Sequence, residues 1–112
     1  MIVLTMTSAI FLAASQASIT APRTALVNCI KAAETSAKAE KVPLEAYPDR
    51  LKAACGAQGD RLKAALTAFD VKNGVPRSRA STDAAADVAD AFASAASTYK
   101  WQTTSQAAAD AN

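Results

Sequence analysis

Histidine does not occur in this chain, glycine occurs three times and proline four times, and there is one tryptophan. The missing histidine removes the commonest general base and the commonest transition-metal ligand. No G-x-S-x-G, P-loop, dinucleotide fingerprint or H-E-x-x-H occurs either. Large apolar side chains are scarce. Apolar types make up 51% of the 112 residues, but 30 of these are alanine. Eight of the remaining large ones fall in residues 1–17, which leaves nineteen, cysteines included, for the other 95 residues. A chain this size buries only about two-thirds of its unfolded surface, and alanine adds little per residue. These absences exclude a multi-domain enzyme and a large hydrophobic pocket. The ten carboxylates are spread along the chain with no implied cleft, so the chain is expected to bind rather than catalyse.

What is present begins with an uncharged apolar run. Ile2, Val3, Leu4, Met6, Ile10, Phe11 and Leu12 are followed by Ala14-Ser15-Gln16-Ala17, with small residues at Ser15 and Ala17 as signal peptidase prefers. Residues 1–17 therefore read as a secretory signal, with cleavage leaving Ser18 first. No Lys or Arg precedes the run, and the alternative is an N-terminal helix of the folded protein. The run is too short to span a bilayer stably. Cys29 and Cys55, an even pair in a short chain with a signal-like start, favour a disulfide in the periplasm or outside the cell.

With alanine abundant and no alternating β-branched pattern, the expected fold is all-α: a disulfide-stapled antiparallel hairpin plus a third helix, a three-helix bundle over residues 18–101. The first helix is expected from Pro22, a residue suited to a first helical position, to about Lys41. Its inner face is Leu26, Cys29, Ile30, Ala33 and Ala37. Pro43 and Pro48 bracket the turn, since both cannot sit in one regular helix. The second helix runs from Pro48 to about Val71, with Leu51, Cys55, Gln58, Leu62, Ala65, Leu66 and Phe69 inward. Asn73-Gly74 provides its left-handed stop. The third helix starts after Ser81 or Thr82 and ends near Trp101, with Ala85, Val88, Phe92, Ala95 and Tyr99 inward. Residues 102–112 hold no large apolar side chain and are expected to be a disordered tail.

Cysteine placement supports this layout. Facing residues of an antiparallel hairpin have a constant index sum, and that of Cys29 and Cys55 centres on Val42, inside the expected turn. Ala33, Ala54, Gly56 and Gly59 are expected to let the two backbones approach. In the second helix Asp49-Arg50-Leu51-Lys52-Ala53-Ala54 recurs as Asp60-Arg61-Leu62-Lys63-Ala64-Ala65, eleven residues on. Eleven residues are close to three turns, so both copies present one face. Arg50 above Arg61 could meet an anionic partner; the plainer reading is a solvated face with Asp49–Lys52 and Asp60–Lys63 pairs.

Three further features bear on partners. Asp83, Asp87 and Asp90 gather at the start of the third helix, as a helix dipole favours, and could alternatively hold a cation or small ligand. Arg77-Ser78-Arg79 is expected in an exposed loop. Residues 23–79 carry eleven basic and six acidic residues, but export to an oxidising compartment argues against nucleic acid as a partner. Tyr99-Lys100-Trp101 is either a plug over the bundle end or an anchor for a partner. The expected partners are an envelope protein, a second copy or the membrane surface, through Arg50, Arg61, Tyr99 or Trp101; no cofactor or metal is expected.

Overall fold

The computed structural model describes residues 8–111, with side chains from Ser18 onward. The segment read as a secretory signal thus lies outside the described residues in its first seven positions, and outside the described side chains in the rest. Three helices and no strand occur among the described residues: α1 Ser8–Ala39, α2 Tyr47–Lys72 and α3 Arg77–Asp110. The expected all-helical, three-helix architecture is present. Cys29 and Cys55 stand at disulfide distance, with their Cα atoms 5.8 Å apart.

The second helix is the centre of the molecule. It packs on both α1 and α3, which barely meet each other. Each is antiparallel to α2, so α1 and α3 run parallel. The Arg23–Asp87 ion pair at 3.9 Å and the Lys38–Gln102 hydrogen bond both join positions 64 apart. That constant offset is what two parallel helices in register require.

Index arithmetic explains why so many alanines suffice. The Cys29–Cys55 sum also places Tyr47 opposite Ala37 and Leu51 opposite Ala33, all four buried. On the other flank the stacked rings of Tyr47 and Tyr99, 3.9 Å apart, fix a second sum. That sum sets Leu51 opposite Ala95 and Leu62 opposite Ala84, again all buried. Large side chains of α2 are received by small ones on both neighbours, which brings helix axes close and fills space without large cavities. The closest approach is at Gly59, where an added Cβ would lie 2.9 Å from Phe92 Cε2 and 3.1 Å from Val88 Cγ1. Gly59 thus admits α3, not α1 as expected, and Gly56 faces open space.

Both turns are built alike. Val42 N–H donates to the Ala37 carbonyl at 3.0 Å and Lys41 N–H to Lys38 at 3.2 Å, a Schellman motif that stops α1. Its left-handed position is Lys41, at φ 56°. The end of α2 repeats the pattern, with Val75 donating to Asp70, Gly74 to Val71, and Gly74 at φ 93°. Here the expected Asn73-Gly74 stop is present.

Helix limits depart from expectation in three places. Pro22 does not begin α1 but lies inside it. A proline removes one N–H and crowds one carbonyl, and the alanine-rich residues before it still propagate the helix. The third helix begins at Arg77 with Pro76 as N-cap and no side-chain cap, upstream of Ser81 and Thr82. Arg77-Ser78-Arg79 is therefore helical rather than loop. At its far end α3 continues to Asp110, past Trp101 where the expected tail begins. No glycine or proline interrupts residues 102–110, and Thr103 and Thr104 hydroxyls donate back to the carbonyls of Tyr99 and Lys100 at 2.6 and 2.8 Å. Propensity, not burial, carries that extension. With the earlier start the buried stripe runs through Ala80, Ala84, Val88, Ala95 and Tyr99, leaving Ala85 exposed.

Candidate functional site

Because α2 starts at Tyr47, the residues of α3 beyond Tyr99 have no stretch of α2 beside them. They overrun the start of α2 by about 16 Å, at 1.5 Å per residue. Between this overhang and the α1–α2 turn lies an open groove of about 830 Å³. Its floor and rim include Lys38, Lys41, Val42, Pro43 and Leu44 on one side and Trp101 and Gln102 on the other. The low apolar content excludes a large hydrophobic pocket in the core; this groove arises instead from unequal helix lengths.

Tyr99 and Trp101 take opposite roles. Tyr99 is buried at 2% exposure and its hydroxyl donates to the Val42 carbonyl at 2.6 Å, so it ties α3 to the turn at the inner wall of the groove. Its backbone neighbour two residues on, Trp101, is 72% exposed. The only other large apolar side chain exposed among the described residues is Val27, at 43%. Tyr47, stacked beneath Tyr99, is fully buried, and its hydroxyl has no hydrogen-bond partner. Burial, then the nearby Glu34 carboxylate and Tyr99, push its pKa above the usual tyrosine value.

The basic stripe is partly neutralised. Arg50 pairs with Glu40 and donates to Ser36 Oγ at 3.3 Å, which binds α2 to the end of α1. Arg61 is exposed, and Lys63 pairs with Asp60 at 3.2 Å. Both repeat copies keep their phase, with Leu51 and Leu62 buried and Arg50 and Arg61 outside. Neither arginine lines the groove.

The acidic positions of α3 do not form a first turn, since the helix begins six residues before Asp83. Asp83 pairs with Arg79 and Asp87 with Arg23, each at 3.9 Å. No group of three or more metal-ligating side chains occurs among the described residues. A smaller groove between α2 and α3 is lined by Lys63, Thr67, Arg77 and Ser81, not by these aspartates. No helix among the described residues is long and apolar enough to cross a membrane.

Lys41-Val42-Pro43-Leu44 is the part of the site that sequence reasoning missed, treating it only as a helix break. The signal was available: a third helix long enough to pass the turn would lay its aromatic end beside these residues. No protein family, curated protein or solved structure matches this chain.

Proposed function

We propose that the protein is an exported, non-enzymatic binding module, working in the periplasm or outside the cell, whose contact surface is the end of the molecule that carries Trp101. The observation behind this reading is Trp101 itself. A large aromatic left 72% exposed beside an open groove is expensive to keep in water, and aromatic side chains of this kind dominate binding energy when a partner covers them. Export is supported by the signal-like start and by the cysteine pair at disulfide distance. Absence of histidine and the paired state of Asp83 and Asp87 favour binding over acid–base chemistry. An envelope protein, a second copy and the membrane surface are the partner classes that suit an exported chain of this kind.

The test is a photo-crosslinking amino acid placed at Trp101 and, as control, at the exposed Ala57 on the outer side of α2. Expressed in its own host, the protein should give adducts from position 101 and none from 57. No adduct of any kind from position 101 would end this reading.

A further inference from the structure

We infer that the Trp101 end is a self-association surface, in which the α3 overhang of one molecule lies antiparallel in the groove of a second copy. This rests on the binding reading above and names its partner. The groove continues the place that α2 occupies lower down, since α3 runs on from Tyr99 to Asp110 while α2 begins at Tyr47, stacked beside Tyr99. From Thr104 to Ala111 every residue is exposed. A helix filling the groove antiparallel to α3 takes up the position that a longer α2 would have. Another α3 overhang has the right length for that place, because the lining itself runs from Tyr99 to Asp110.

The two ends of the groove carry opposite charge. Lys38 and Lys41 line the turn end and Asp110 the far end, while Lys100 and Glu45, outside the lining, cancel in sign. Lys38 is held by Glu34 at 2.7 Å, and among the described residues Lys41 has no side-chain partner. Asp110 accepts from the neutral Gln106 amide at 3.1 Å and keeps its charge. The last turn of α3 holds this aspartate and no basic residue, the reverse of what the helix dipole favours. A second copy, reversed along the groove, corrects both ends at once. Its Asp110 and the negative end of its helix arrive at Lys41 and at the positive start of α2, and the first copy's Asp110 meets the second copy's Lys41. Such an exchange is self-complementary about a two-fold axis, whereas a partner of one charge sign would meet one attracting end and one repelling end. Full overlap of residues 100–110 with their copy centres the pair on Ser105 and brings the second copy's Ala109 against Trp101. Large then meets small, as along both flanks of α2. Each overhang is a cylinder about 16 Å long and about 10 Å across, so seating both buries on the order of 1,000 Å², the low end of specific interfaces. The dimer is accordingly weak, dissociating at micromolar concentrations or above.

Trp101 is the only tryptophan, so its emission reports whether this end is covered. The full oxidised chain is followed by sedimentation equilibrium and by emission from about 1 μM to about 1 mM. Mass should rise from monomer to dimer, with a blue shift of the indole over the same range. Lys41→Asp and Asp110→Lys each make both contacts repulsive, and each should weaken dimerisation about tenfold or more. Mixed in equal amounts, the two variants regain opposite charges at both contacts, so a heterodimer should form near the wild-type concentration. Both positions are exposed, Asp tolerates the left-handed backbone at position 41, and circular dichroism checks that each variant folds. Residues 1–17 are common to every arm, so association through them would respond to neither charge. A monomer throughout would overturn the proposal. So would a dimer that leaves the emission unchanged, that both single variants keep, or that mixing fails to restore. If the chain stays monomeric while crosslinks from position 101 capture a different protein, self-association is wrong and the binding reading survives.

Discussion

Two tyrosines stacked in one core make opposite uses of their hydroxyls. That of Tyr99 donates to the Val42 carbonyl at 2.6 Å and fastens the turn, while that of Tyr47 is buried without a partner. Removing a made bond leaves an orphan carbonyl, but removing an unmade one relieves a desolvation cost. Tyr99→Phe should therefore cost about 1–2 kcal/mol, and Tyr47→Phe should be neutral or stabilising, both read by urea unfolding. The raised pKa of Tyr47 adds a pH signature. An acid whose folded pKa lies above its unfolded value contributes stability fully below about pH 10, and loses it as pH rises through the folded value. Tyr47→Phe should thus shift the alkaline unfolding midpoint upward. The two helical glycines form a second contrast. Gly56→Ala meets nothing within 4 Å and should gain about 0.5–1 kcal/mol from helix propensity. Gly59→Ala gains the same propensity but places a Cβ 2.9 Å from the Phe92 ring. Overpacking of about 1–3 kcal/mol should outweigh the gain.

At the scale of helices and turns, sequence periodicity was a better guide to faces than to ends. Leu26, Ala33, Ala37, Leu51, Cys55 and Leu62 were all expected inward and all are buried. Those faces follow from helical geometry, which any stretch of the right period obeys. Ends follow from caps, and caps here are mostly backbone motifs. Neither α2 nor α3 has a side-chain cap bond at its N-terminus, so Ser81 and Thr82 misled and Pro76 started α3 without them. Pro22 misled for a related reason: suitability for a first turn does not forbid an interior position. Tyr47 was missed because prolines on both sides marked it as turn, and the groove was missed because it depends on where α3 ends. The two Schellman turns yield a prediction. Gly74 holds its left-handed position freely, whereas Lys41, at φ 56°, holds its own against the steric cost of a Cβ. Lys41→Gly should raise stability by about 0.5–1 kcal/mol in thermal unfolding, although it removes a cation from the tip.

The whole molecule is unusually extended for its length. Its radius of gyration is 19.1 Å, where a compact domain of this size has about 13 Å. With α1 and α3 barely touching, every long-range contact of consequence passes through α2, and α1 is held by one flank alone. That flank is closed by Leu26, Ala33 and Ala37 of α1 against Leu51 and Tyr47, with Ile19 and Ile30 half-buried beside them. Surface pairs such as Arg23–Asp87, more than half exposed on both sides, add little. The link between Cys29 and Cys55 sits midway along this interface and closes a loop of 26 residues. By the chain-entropy account such a loop is worth about 3.5 kcal/mol, comparable with burying one of the leucines on that flank. Reduction should accordingly lower the unfolding free energy by about 3–4 kcal/mol, measured by urea titration of the same protein with and without reductant. The α2–α3 pair does not depend on the link, and alanine's helix propensity is local, so much of the helical circular dichroism should persist after reduction in the cold. Loss of α1 packing should instead appear as faster amide exchange in α1 than in α2 and α3. Equal stability in both redox states would mean that the alanine interface holds α1 alone.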